Sequence, residues 1–253
     1  MDLSEQQSWV IDLDGVIWLM DDPIPGAIEA VAKLLDAGVV VTFATNNSLL
    51  TNDQYFEKLS RIGIDSERVN IVTSSMAAAS MLDAGDRAYV IGGAGLEVAL
   101  RARGVEIVES SDVDVVVVGW DREINYSKLS RATRALRNGA RFVATNSDPI
   151  YPTPRGPLPG AGSIVAAVAT AGGFPPEWAG KPEAPMAKLL IEQVGAPTLM
   201  VGDRLETDGG FARQLGCDFA LVMSGVTTSA PPLSNEIAHV ADDIAALVKE
   251  LID

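Results

Sequence analysis

From residue 9 onward the chain repeats one pattern: a short, almost wholly apolar run stops at small polar or acidic residues, and a segment of helical periodicity follows. Residues 9–11, 39–44 and 69–72 are such runs, with helical segments over 27–37, 51–62 and 76–84. Continuous apolar runs read as strands buried on both faces, and their alternation with helices predicts a parallel sheet covered by helices. The middle of the chain continues the pattern with strands over 87–91, 105–108, 113–119 and 141–144 and helices ending near Ala102 and spanning 126–138 and 161–170. The last third adds a helix over 185–194, a strand over 198–201, a helix to Leu215 and a strand over 219–222. The fold class is therefore α/β.

Two stretches interrupt the alternation. Residues 151–160, YPTPRGPLPG, are too rich in Pro and Gly for regular structure, and 172–182, GGFPPEWAGKP, reads as a linker. The arrangement fits either one long sheet or a second α/β domain, about 83–178, inserted into a parent domain made of both ends. The second reading explains why polar strand ends fall into two groups, 12–75 and 181–208. No internal repeat recurs at a fixed period, although Thr-Asn pairs occur at both 45 and 145.

Composition limits the partners. With 253 residues, 47% of them hydrophobic, the chain can bury a sizeable core. Asp and Glu number 34 against 19 Lys and Arg, a formal net charge of -15. That field disfavours nucleic-acid backbone and anionic membrane, favours metal cations, and obliges any small anionic substrate to find a local positive site. A single cysteine, Cys217, excludes an internal disulfide and a thiolate metal cluster, and reads as a buried thiol. A single histidine, His239, leaves nothing for a zinc site or triad built on histidine. No basic segment precedes the first apolar run and no apolar stretch reaches the roughly 18 residues of a spanning helix, so a cytoplasmic protein is expected.

Charge at strand ends carries the chemistry. In VIDLDGVIW the strand delivers Asp12 and Asp14 at alternate positions, and a carboxylate in an apolar run is costly unless paired or bound to a cation. Gly15 then permits a turn or a close approach. The strand over 39–44 ends in Thr45, Asn46, Asn47 and Ser48, and TLMVG ends in Asp203, with Asp208 five residues on as a helix cap or as support for a metal site. Lys181 stands between Gly180 and Pro182, where helix and strand are both disfavoured. Asp203 can equally open a turn, and Lys181 can equally be a solvated loop lysine. Taken together, carboxylates, one lysine and short hydroxyl and amide groups suit a hard cation with oxygen ligands and an oxyanion. Neither GGAG at 92–95 nor PGAG at 159–162 completes a GxGxxG, so these glycines read as tight turns rather than a nucleotide site.

The set DLDGV at 12–16, TNNS at 45–48, GKP at 180–182 and GDRLETD at 202–208 resembles the haloacid dehalogenase-like superfamily, within it the NagD-like, p-nitrophenylphosphatase-like branch. The resemblance runs from about residue 9 to 228 and takes in VGWDREINYSKL, FVATNSD and LPGAGSIV. It implies a Rossmann-like core over 1–82 and 179–253 and a large inserted α/β cap of the C2 type over 83–178. It further implies Asp12 as nucleophile, Asp14 as general acid then base, and Thr45, Asn46 and Asn47 around the phosphoryl oxygens. Lys181 would neutralise charge. Mg²⁺ would be held by Asp12, Asp203 and the Asp14 backbone carbonyl, with Asp208 supporting that shell. Asn146 and Asp148 are cap candidates for the substrate, with a turn role equally open to each. Glu206 departs from the commoner aspartate of that motif.

The implied activity is Mg²⁺-dependent hydrolysis of a small phosphorylated metabolite, such as a sugar, glycerol, glycolate, nucleotide or pyridoxal phosphate. Phosphotransfer or mutase chemistry through the same aspartyl-phosphate, or a noncatalytic protein that keeps the site for phosphate or metal, are the alternatives. No nucleic acid and no membrane are expected as partners, and a homodimer is expected by resemblance alone.

Overall fold

The computed structural model describes residues 7–151, 153, 156–229 and 237–252. Their contacts divide the chain into two compact units, one of Met1–Thr45, Asp53–Val72 and Ala187–Asp253, the other of Asn46–Asn52 and Thr73–Met186.

The first unit is built on a six-stranded sheet in the order His239–Ala241, Asp218–Val222, Leu199–Gly202, Ser8–Ile11, Val40–Thr45, Val69–Thr73. Ser8–Ile11 is central and pairs in parallel on both sides, Val10 opposite Met200 and Thr42, Ile11 opposite Val201 and Phe43. From it the chain runs outward one way and later returns to fill the other side. At such a reversal of strand order, outside the carboxyl ends of the strands, open α/β sheets place their ligands. Trp9, Val10 and Ile11 are fully buried, as expected for a strand covered on both faces. The helix Ala27–Asp36 buries Ala27, Ala30, Val31, Leu34 and Leu35, positions at helical spacing. Val31 and Leu34 have no exposed surface, and burial of side chains of this size contributes about 1.5–3 kcal/mol each.

The second unit has its own sheet, in the order Glu177–Trp178, Arg141–Ala144, Val115–Val118, Arg87–Ile91, Glu106–Ile107, again with parallel pairs. Its core joins Tyr89, Val116, Trp120, Leu136, Phe142 and Val165 with the inner faces of the helices Tyr126–Arg137 and Ala161–Gly172. Two sheets, not one long one, account for the alternation read in the sequence.

Several expectations are corrected. Residues 172–182 are not a linker: Glu177 and Trp178 form the edge strand of the second sheet, and Trp178 packs on its core. The Pro/Gly density there sets the turns on either side and left the pairing hidden. The run over 151–160 contributes to a short antiparallel ribbon, Ile150–Tyr151 with Leu158–Pro159, which a proline tolerates because a ribbon edge needs no N–H there. Pro152, Pro154 and Arg155 of that run lie outside the described residues. Cys217 is half-buried rather than a core thiol. The glycine turns do cap helices: Gly93 precedes Ala94–Ala102 and Gly160 precedes Ala161–Gly172. A Cβ on Gly95 would stand 2.1 Å from Leu50 O, and one on Gly162 2.3 Å from Ser147 O, so both are required by close backbone packing.

Candidate active site

Asp12 follows the last residue of the central strand, and its N–H continues the ladder to Val201 O at 2.9 Å. Asp203 follows Gly202, the last residue of the neighbouring strand Leu199–Gly202. Adjacent parallel strands thus bring two carboxylates from distant sequence to one edge. Asp208 joins them because the segment after Asp203 coils tightly: Leu205–Gly209 is a single π-helical turn, a geometry frequent at functional sites. Asp208 caps no helix; its Oδ2 accepts from Arg204 N at 3.1 Å. The ligand atoms of Asp12, Asp203 and Asp208 lie within 4.8 Å of one another, and all three residues are buried.

Three buried carboxylates this close repel one another and lose hydration, a combination that favours a bound cation. Their all-oxygen donor set suits a hard divalent ion. The surrounding backbone is shaped for it. A Cβ on Gly15 would stand 2.5 Å from Asp203 Oδ2, and Gly15 also has φ of 92°, which a side chain would strain. A Cβ on Gly225 would stand 2.0 Å from the same oxygen, and one on Gly202 2.3 Å from Asp208 Cγ. The loop carrying Gly225 closes on Asp203 through Val226 N, which donates to Oδ2 at 2.6 Å.

Asp14 is not in the carboxylate cluster. It is half-buried, and its Oδ1 accepts from Trp18 Nε1 at 3.2 Å. Thr45 is 1% exposed and ends the strand Val40–Thr45 on the other side of the central strand.

The remaining sequence candidates belong to the second unit. Lys181 is 2% exposed, an unusual burial for a lysine, in the turn that follows Glu177–Trp178. Its peptide bond to Pro182 is cis, and its carbonyl accepts from Asn46 Nδ2 at 3.0 Å. The same amide donates to Asp148 Oδ2 at 3.0 Å. Asn146 spends its amide on Asn46 O at 2.7 Å and Thr145 Oγ1 at 3.2 Å, and its Oδ1 accepts from Asp148 N at 3.1 Å. Asn47 Oδ1 accepts from Leu49 N at 3.0 Å, a local turn bond. Gly180 is wedged between these groups: a Cβ there would meet Asn46 Oδ1 and Thr145 O at 2.5 Å. The structure therefore joins Asn46, Asn146, Asp148 and the Lys181 backbone in one network.

Reasoning from sequence assigned no role to Trp18 or Gly225, and named Ser48 only as the end of TNNS. Ser48 accepts from Trp120 N at 3.0 Å and from Thr145 Oγ1 at 3.4 Å, which ties the end of TNNS into the second unit. Gly225 carries no signal beyond a glycine in SGVT, since its partner Asp203 is remote in sequence.

Comparison with known proteins bears on this geometry. Residues 9–106 match the haloacid dehalogenase-like hydrolases, and residues 178–247 match the HAD-hydrolase-like family. An acid sugar phosphatase of Staphylococcus aureus is 37% identical over 232 residues, covering 89% of this chain and 90% of that protein. The chain belongs to the haloacid dehalogenase-like hydrolases. It is a phosphatase of the NagD-like, p-nitrophenylphosphatase-like branch. Among solved structures, this haloacid dehalogenase-like chain is similar to a p-nitrophenyl phosphatase from Archaeoglobus fulgidus, with 29% identity and a TM-score of 0.87 over 98% of this chain and 100% of that one. It is also similar to a glycerol phosphate phosphatase from Mycobacterium tuberculosis in complex with calcium, with 33% identity and a TM-score of 0.84 over 95% of this chain and 74% of that one. Among the described residues, no helix is long and apolar enough to cross a membrane.

Proposed function

We propose that the chain hydrolyses small phosphomonoesters of the sugar or glycerol phosphate type through an aspartyl-phosphate on Asp12, with Mg²⁺ as the working cation. The observation that carries this reading is the convergence of Asp12, Asp203 and Asp208 at one sheet edge, within 4.8 Å and buried. The printed activities of the relatives, acid sugar phosphatase and glycerol phosphate phosphatase, support the substrate class.

The chemistry follows from the residues. An Asp12 carboxylate oxygen attacks phosphorus as the bond to the ester oxygen breaks, and Asp14 gives its proton to the departing alkoxide. Asp14, now a carboxylate, takes a proton from water, which attacks the aspartyl-phosphate and frees inorganic phosphate with Asp12 restored. Asp12, Asp203 and the Asp14 backbone carbonyl would hold a divalent cation, with Asp208 supporting that shell, and the cation would supply positive charge that offsets repulsion between carboxylate and phosphate. By the motif each occupies, Thr45, Asn46 and Asn47 hold phosphoryl oxygens and Lys181 neutralises their charge. Asn146 and Asp148 serve the leaving-group side, where residues 83–178 act as the specificity-setting cap. The acidic surface fits a small-molecule partner rather than nucleic acid or membrane, a cytoplasmic setting and, by resemblance, a homodimer.

The test is phosphate release from a panel of phosphorylated metabolites and p-nitrophenyl phosphate, with and without Mg²⁺, alongside acid-quench trapping of a phosphoenzyme. Sugar or glycerol phosphates should lead the panel by kcat/KM, and Asp12→Asn should give no trapped phosphoenzyme. Release that is unaffected by removing divalent cations, or a phosphoenzyme that survives Asp12→Asn, would overturn the reading.

A further inference from the structure

The acid and base role proposed for Asp14 requires its carboxyl group to point one way through two proton transfers. A half-buried carboxyl on a loop has no such constraint by itself. In this chain the constraint is visible. Trp18 is 1% exposed, so its indole N–H must find an acceptor inside the protein. That acceptor is Asp14 Oδ1, at 3.2 Å. The loop between them closes on itself, with Gly15 N donating to Trp18 O at 2.8 Å and Trp18 N donating to Leu13 O at 3.2 Å. Indole nitrogen donates and cannot accept. The bond therefore fixes the rotation of the Asp14 carboxyl group relative to the loop.

Trp18 is itself held. It begins the short hairpin Trp18–Leu19 with Asp22–Pro23, whose turn residue Met20 has φ of 57°, an unfavourable value for a residue with a side chain. Lys58, on the helix Asn52–Ile62, is 8% exposed although helix lysines are usually solvated. Its Nζ donates to Met20 O, lies 3.3 Å from Asp21 Oδ1 and sits 4.1 Å from the centroid of the Trp18 ring. One cation thus fixes the strained turn and lies on the face of the indole, where it draws ring electron density and strengthens the N–H as a donor.

We propose that Trp18 is a positioning residue for Asp14, fixing the orientation of its carboxyl group, and that Lys58 holds Trp18 in that role. The inference rests on the acid and base role of Asp14, and its test separates the two. Phosphoenzyme formation is followed by rapid quench with glycerol phosphate, whose alkoxide needs a proton to leave, and with p-nitrophenyl phosphate, whose phenolate does not. Trp18→Phe keeps the buried ring and removes only the N–H. It should slow phosphoenzyme formation from glycerol phosphate about tenfold while changing the p-nitrophenol burst less than about twofold, with KM unchanged for both. Placed in an Asp14→Asn background, Trp18→Phe should add no further loss with glycerol phosphate, because its route to the reaction is already cut. Lys58→Met, which keeps the chain length and removes the charge, should give the same pattern at smaller size.

Equal losses on both esters, or a full additional loss in the Asp14→Asn background, would make Trp18 a packing residue and overturn the proposal. If Asp14→Asn itself slows both esters equally, the acid role fails and the positioning role falls with it. If thermal unfolding shows Trp18→Phe to be unfolded, Lys58→Met decides alone by the same contrast between the two esters.

Discussion

At the carboxyl end of the six-stranded sheet, Asp12, Asp203 and Asp208 crowd within 4.8 Å, whereas the corresponding end of the five-stranded sheet carries Thr145 and Asn146, whose polar atoms bond to Ser48, Asn46 and Asp148. Both edges are buried and polar, yet their energetics differ in kind. At the second edge the Asn146 amide and the Thr145 hydroxyl find partners among their neighbours, while Asn46 Oδ1 is buried without a hydrogen-bond partner among the described residues. The carboxylates of the first cannot donate to one another, and the glycines at 15 and 225 pack against Asp203 and the glycine at 202 against Asp208. The amide network is held largely by its own hydrogen bonds, and the carboxylate cluster has the donor set of a cation site.

The sharpest break of that contrast is Asp12→Asn, expected to lower steady-state hydrolysis of p-nitrophenyl phosphate by about 10⁴-fold or more while the thermal midpoint is held. Hydrolysis within tenfold of the unaltered chain would remove Asp12 from the role of nucleophile. Next, Asp203→Asn should raise the Mg²⁺ concentration for half-maximal activity by about 100-fold. Independently of activity, Mg²⁺ at about 100 times its dissociation constant should stabilise the unaltered chain by about 2.7 kcal/mol and the variant far less. A thermal midpoint indifferent to divalent cations would place the first edge in the same class as the second.

Gly225→Ala tests the cradle by pressing a methyl group on Asp203 Oδ2. It should cost about 1–3 kcal/mol in urea unfolding and weaken cation binding together. Asn146→Ala is the matching change at the other edge, expected to cost about 1–2 kcal/mol of stability with cation affinity unaltered. A shift in cation affinity there would give Asn146 a part in cation binding. The smallest effect concerns Cys217, whose thiol is pushed up from 9.0 to about 11, first by burial and then by the neighbouring Asp218 carboxylate. Its contribution to stability is present below pH 9 and is lost as pH rises toward 11. At pH 8 it should react with iodoacetamide more slowly than in the urea-unfolded chain, and equal rates would disprove the shift.

Much of the first edge was legible before any coordinates. Apolar runs that stop at Asp12, Thr45 and Asp203 place those residues at strand ends, because a buried strand tolerates charge only where it emerges. The two-sheet arrangement was open from the pattern, since either one sheet or two satisfies the same alternation. The hairpin at Trp18 was not legible, because strands of two residues show no periodicity. Lys58 in FEKLSR carries no local signal of burial, since a lysine on a helix is usually solvated. The strand His239–Ala241 and helix Ile244–Leu251 were passed over, although Asp243 as cap and Ile244, Leu247 and Val248 at helical spacing marked the helix.

By itself, the order of residues determined the strands, the helices and the chemical type of each strand end, because periodicity and the cost of buried charge act locally. The tertiary structure alone decided which ends meet. Parallel pairing set Asp203 beside Asp12 across some 190 residues of chain, and a π-helical turn carried Asp208 to them. Packing of one helix against one hairpin seated Lys58 on Trp18, and through it gave Asp14 a direction. Contacts of that kind depend on distances that no local pattern encodes.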